Sequence, residues 1–103
     1  MATDNPYDND FKIDFSVTTT ATSVFETSGD GDHAFSHFQI DATDSAEDIQ
    51  FRFKIKQHWT SWGRVRLGTI SPTIGRVGNQ IKDVELQTAS GTGTCDFAVL
   101  YRQ

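Results

Sequence analysis

The stretch Ile49-Gln-Phe-Arg-Phe-Lys-Ile-Lys56 constrains the fold more than any other part of the chain. Ile49, Phe51, Phe53 and Ile55 fall on one side of an extended backbone, and Gln50, Arg52, Lys54 and Lys56 on the other. Successive side chains of a strand point to opposite faces, so this period of two builds a strand with one buried and one wet face. That is the pattern of an antiparallel sheet packed on one side only. Composition agrees. Val and Ile together occur thirteen times, Thr thirteen and Phe eight, against three Leu and one Met. β-branched and aromatic side chains fit a pleated surface, whereas helices favour straight chains. No window places apolar residues at i, i+3, i+4 and i+7 with caps. The expected fold is all-β.

Alternation recurs along the chain. Phe11, Ile13, Phe15 and Val17 are expected to point inward from one strand, and Thr18–Glu26 reads as extended. Ser28–His33 is a turn by its Gly and Asp content. Ala34–Ile40 alternates with Ala34, Ser36, Phe38 and Ile40 on one face, and 41–48 is a polar loop. Gln57–Gly63 is a loop or strand end carrying Trp59 and Trp62. Arg64–Ile70 reads as a strand with Val65 and Leu67 inward and a bulge at Gly68, and Pro72 ends it or marks an edge. Gly75–Asn79 is a turn, Gln80–Thr88 a strand with Val84, Leu86 and Thr88 on one face, and Ala89–Thr94 a further turn. Cys95–Tyr101 is apolar on both faces and is therefore expected at the centre of a sheet.

Seven or eight short strands at about ten-residue spacing point to a sandwich or barrel. A single antiparallel β-sandwich over 11–103 is expected, a jelly roll first and an immunoglobulin-like sandwich second. The polar, acidic segment 1–10 reads as a flexible arm ahead of it. At 103 residues the chain amounts to one domain. No apolar run approaches the ~20 residues that cross a bilayer, so no membrane insertion is expected. The Met-Ala-Thr-Asp start has no basic or apolar signal region, and the lone Cys suits synthesis in a reducing cytoplasm.

Charge is divided unevenly. Residues 1–50 carry nine Asp, two Glu and one Lys, and 51–103 carry three Lys, five Arg, two Asp and one Glu, giving −10 and +5. Arg52, Lys54 and Lys56 share one strand face, and Arg64 and Arg66 another, with Trp59 and Trp62 between them in sequence. The plainest interpretation is a solvated sheet face balanced by the acidic half. A nucleic-acid surface would also use cations and stacking aromatics, but the net charge of −5 opposes a polyanion. Complementary acidic and basic patches suit head-to-tail contact between copies, closing into a ring.

Reactive centres find little support. Cys95 lies in a strand pattern, and nothing brings His33, His37 or His58 to it. His33 and His37, four apart on a strand, stand roughly 13 Å from one another, too far to share a metal. Asp30-Gly-Asp32-His33 lacks the remaining ligands of a calcium loop, and Asp8 with Asp10 is equally incomplete. Ala89–Thr94 has no Gly-Lys-Ser/Thr and no following helix to bind phosphate. No enzyme activity, cofactor or metal is expected. Trp59 and Trp62, in His58-Trp-Thr-Ser-Trp-Gly-Arg64, are the leading candidates for a site: they are expected to plug the end of the sandwich core or anchor an interface ahead of binding a ligand.

The order of a basic alternating strand, then Trp59–Ile70, then Ile81–Tyr101, resembles the back half of jelly-roll carbohydrate-binding modules. That resemblance implies glycan binding through exposed Trp residues. The whole chain resembles, in composition and layout, small accessory proteins of tailed-bacteriophage virions, which are Thr/Gly/Ser-rich β-sandwiches that multimerise on a capsid or tail. This implies a non-enzymatic structural module that associates with copies of itself, and with other virion proteins, in a capsid-decoration or tail role. The acidic N-terminal region of one copy would meet the Arg52, Lys54, Lys56, Arg64 and Arg66 faces of a neighbour, with Trp59 and Trp62 as apolar anchors. A carbohydrate-binding module is the alternative.

Overall fold

A computed structural model describes residues 11–25, 35–75 and 81–101. The expected arm over 1–10, the Ser28–His33 turn, Ala34, and positions 76–79 of the Gly75–Asn79 turn lie outside the described residues. Within them the strands are β1 (Phe11–Val17), β2 (Thr22–Ser23), β3 (His37–Asp41), β4 (Ile49–Ile55), β5 (His58–Trp59), β6 (Gly63–Val65), β7 (Ile74–Gly75), β8 (Ile81–Gln87) and β9 (Gly93–Tyr101). Every strand pairing is antiparallel.

The first sheet has the order β1-β9-β3-β7, and the second β2-β8-β4-β5, with β6 also on β4. The pairings nest. β1 meets β9, β2 meets β8, β3 meets β7, and β4 meets β5 and β6. The chain is thus one long hairpin rolled over so that its successive rungs alternate between two facing sheets. This is jelly-roll topology, as the strand pattern led us to expect, and β9 is central in its sheet.

Between the sheets lies a Phe-rich core. Phe25, Phe35, Phe38 and Phe97 are fully buried with Ile40, Ile49, Ile81, Val84 and Leu86, and Phe51 and Phe53 pack against them. Phe38 stacks on Phe97 at 5.5 Å and meets Phe51 and Phe53 edge-on at 6.0 and 5.6 Å. Edge-on and offset pairs bring the positive ring edge to a negative face, each adding ~0.5–1.5 kcal/mol beyond area burial.

Several inward assignments are corrected, those of β1 by a β-bulge. In β1, Phe11 faces Ala98 and Lys12 faces Phe97, yet Phe15 faces Cys95. One extra residue therefore sits between them, with Asp14 at φ 55° and its amide donating to the Asp96 carboxylate at 2.9 Å. An inserted residue reverses which face the strand buries. Val17 is buried as expected, but Phe11 and Ile13 are 52% and 66% exposed. Ahead of β3, Phe35 bridges to Ile81 and is buried along with Ser36, so the two do not alternate between faces there. The segment after Val65 is not a strand through Ile70. It turns at Leu67–Gly68, where Gly68 has φ 80°, and Leu67 is exposed. Of Thr18–Phe25, only Thr22–Ser23 pairs as strand. Lys56 does not share the β4 face. It is the first residue of the two-residue turn to β5.

Candidate functional site

The two tryptophans owe their placement to a bulge. Lys54 stands opposite Trp59, while Phe51 stands opposite Gly63. Between these points the Thr60 amide donates to the Phe53 carbonyl at 2.9 Å, and the Phe53 amide donates to the Thr60 hydroxyl at 3.1 Å. Arg52 alone therefore faces two residues, Ser61 and Trp62. In a regular strand, positions 59 and 62 would project from opposite faces. The extra residue reverses the parity and puts both indoles on the outer face of the second sheet. Gly63 makes the return possible. A Cβ there would lie 2.5 Å from Phe51 Cζ, so only glycine lets that ring rest against the β6 backbone.

Arg52 occupies the centre of this surface. Its guanidinium carbon lies 4.7 Å from the ring centroid of Trp59 and 4.7 Å from that of Trp62. Its Nε and Nη2 donate to Glu85 Oε1 at 2.9 and 2.6 Å, Glu85 being its partner across β8. Lys54 Nζ lies 5.8 Å from the Trp59 ring. The row Glu85–Arg52–Trp59/Trp62 thus joins β8, β4 and the bulged β5–β6 edge. The planar cation is attracted to the ring faces by their quadrupoles and to the carboxylate by charge. Glu85 holds the guanidinium from one side, and on the other it packs on Trp59 in β5 and on Trp62 in the bulged stretch between β5 and β6. Gln87 Nε2 donates to Gln50 Oε1 at 2.7 Å in the adjacent row.

The remaining cations are more dispersed. Arg64 is exposed and reaches Asp48 at 3.6 Å, and Arg66 is exposed just beyond β6. Lys56 is exposed in the turn. Beside β6 a groove of about 280 Å³ is lined by Phe51, Val65, Ile70, Pro72 and Ile74, with Arg64 and Arg66 at its rim. The structure thus brings Arg52, Lys54, Trp59 and Trp62 together, and sets Lys56, Arg64 and Arg66 around them.

Cys95 is buried, and burial pushes its thiol up to about 12, with Asp96 and Asp41 adding to the shift. A thiol so shifted is protonated and a poor nucleophile. Ala89–Gly91 turns the chain from β8 in the second sheet to β9 in the first, and there the Thr88 hydroxyl donates to the Gly91 carbonyl at 2.7 Å. Among the described residues no three His, Cys, Asp or Glu side chains converge as a metal site.

Glu85 is the residue of this site that sequence reasoning missed. Its signal is faint, a lone acid alternating outward from Val84 and Leu86. The odd spacing of Trp59 and Trp62 was the available sign of a bulge. Comparison with protein-family models, with curated proteins and with solved structures found no match.

Proposed function

We propose that the protein is a non-enzymatic structural module that associates with copies of itself, as a capsid-decoration or tail accessory protein does in a phage virion. One observation carries this reading: the Trp59–Arg52–Trp62 arrangement, locked by Glu85, presents large half-buried rings on a rigid sheet face. Rigid aromatics beside cations lose little entropy on docking and supply the apolar area that rim ion pairs do not. Surrounding Lys54, Arg64 and Arg66 would steer and register the partner. Sedimentation of the full chain across protein concentration tests this. Average mass should rise with concentration, and Trp62→Ala should lower it. A monomer at every concentration overturns it.

The jelly-roll fold favours a second reading, glycan binding by Trp59 and Trp62. Arg52 lies over both rings and leaves less indole face for a sugar. Glycan retention that is lost in Trp59→Ala, by a chain that stays monomeric, would favour it over assembly.

A further inference from the structure

We infer that the outer face of the first sheet is the surface that docks onto the outer face of the second sheet of another copy. This rests on the self-association reading and names both halves of the contact. Cross-strand partners share a face, so the register defines the rows of the first sheet. Asp96 stands opposite Asp41, which bridges to Ile70, and Phe11 stands opposite Ala98, which stands opposite Gln39. All of these project away from the core, since their strand neighbours Phe38, Ile40, Cys95 and Phe97 are buried. Of the five exposed large apolar side chains among the described residues, four lie on or at the edge of this face: Phe11, Ile13, Ile70 and Leu100. Soluble chains rarely gather such residues on one surface without a partner for it.

Among the described residues, the charged side chains that line the hollows of that face are all acidic. Asp14, Asp41, Asp44 and Asp96 surround one small hollow, and Phe11, Gln39, Asp41, Asp96 and Ala98 line the next. Among the described residues, no Lys or Arg lines either. Like charges directly opposite on paired strands are unfavourable, so the Asp41–Asp96 pair weakens the isolated sheet. A cation brought by a neighbour would relieve it.

The opposite side of the sandwich offers those cations. Arg52, Lys54 and Arg64 project from the second sheet beside Trp59 and Trp62, with Lys56 in the adjoining turn. Glu85 engages Arg52, and Asp83 stands opposite Lys54 across β8, though among the described residues no carboxylate lies within 4.0 Å of the Lys54 ammonium. Acidic side chains with exposed Phe11, Ile13, Ile70 and Leu100 on one side are thus matched by Arg52, Lys54 and Arg64 with half-buried indoles on the other. Second copies are therefore the occupant that charge and apolar content both fit. Because the two faces lie on opposite sides of one molecule, the contact does not close on itself at two copies. It repeats as an open stack. Four strands at ~4.8 Å spacing and ~24 Å length give a face of roughly 19 by 24 Å, at the small end of specific interfaces. Single contacts are therefore weak, and repetition supplies the strength.

The test uses the full chain in three forms: unaltered, reversed on the acidic face (Asp44→Lys with Asp96→Lys), and reversed on the basic face (Lys54→Glu with Arg64→Glu). Mass is followed by sedimentation from micromolar to millimolar concentration, with circular dichroism as the check of folding. The unaltered chain should grow without a fixed stoichiometry and shrink as salt rises. Each reversed form alone should need about tenfold more protein for the same average mass, and mixing the two should restore growth, because each then meets an opposite face. Ile13→Ser, which touches no charge and alters an exposed side chain, should weaken growth as well. Association that ignores all three changes overturns this inference and leaves the self-association reading standing. A chain that is monomeric throughout overturns both.

Discussion

Arg52 ties together one carboxylate and two indoles, and its removal can be worked through from these contacts. Two cation–π contacts on a partly exposed surface are each worth ~0.5–1 kcal/mol. The bond pair to Glu85 adds up to ~1 kcal/mol, discounted because the two side chains are 30% and 20% exposed. Arg52→Ala is therefore expected to cost about 2 kcal/mol, with some of that arising from a Glu85 left without its partner. At a urea slope of ~2 kcal/mol/M, the midpoint should fall by about 1 M. Tryptophan fluorescence reports the same event locally, because both indoles lose the cation that covers them, and native emission should move to longer wavelength. Arg52→Lys should retain part of the charge attraction and lose the planar stacking, giving an intermediate value. A double-mutant cycle between Arg52→Ala and Trp62→Ala isolates one ring contact, with an expected coupling of ~0.5–1 kcal/mol. A coupling near zero, or an Arg52→Ala midpoint equal to that of the unaltered chain, would refute the argument that this row is an energetic unit.

Three further outcomes follow from single positions. Lys56 holds φ 58° at the first place of a two-residue turn, where glycine is at ease, so Lys56→Gly should stabilise the chain by ~0.4–1 kcal/mol and raise Tm by a few degrees in calorimetry. Gly63→Ala should cost ~1–3 kcal/mol in chemical denaturation, because the new Cβ, 2.5 Å from Phe51 Cζ, forces that ring off its seat. Cys95 should resist thiol reagents in the native state and react on unfolding. Its folded value of about 12 exceeds the 9.0 of an unperturbed thiol, so the unfolded chain ionises first, and this group's contribution to stability is complete below pH 9 and is lost as pH rises toward 12. Comparing the alkaline stability loss of the unaltered chain with that of Cys95→Ala checks the sign.

The sheet pattern was legible where a strand is regular on both sides. β4 shows its alternation openly, and β9 shows its central place by carrying apolar residues on both faces. The nesting of the strands followed from their number and spacing only as an expectation. What the pattern could not carry was parity. Phe11 and Ile13 continue the alternation of Phe15 and Val17, yet they point outward because Asp14 inserts against β9. Trp59 and Trp62 are out of phase in sequence and in phase in space for the same kind of reason. A bulge belongs to a pair of strands, and a single stretch of sequence does not name its partner. The ionic half of the site was hidden likewise. Arg52 reads as a solvated cation until β8 brings Glu85 across from it. The division of charge into an acidic and a basic half of the chain also changes meaning once folded, because the rolled hairpin distributes both halves over two sheets and sets Glu85 across from Arg52 and Asp83 across from Lys54.

The nesting has a consequence for how the molecule comes into being. β1 can acquire its neighbour only when β9 has been made, and the Asp14–Asp96 bond spans 82 positions. Closing so wide a span costs entropy before any ladder repays it, so folding should be slow for a chain of this size. During synthesis, Phe15 and Val17 would wait beside an open sheet until Gly93–Tyr101 emerges from the ribosome. The emerging chain is thus most vulnerable to aggregation just before β9 arrives.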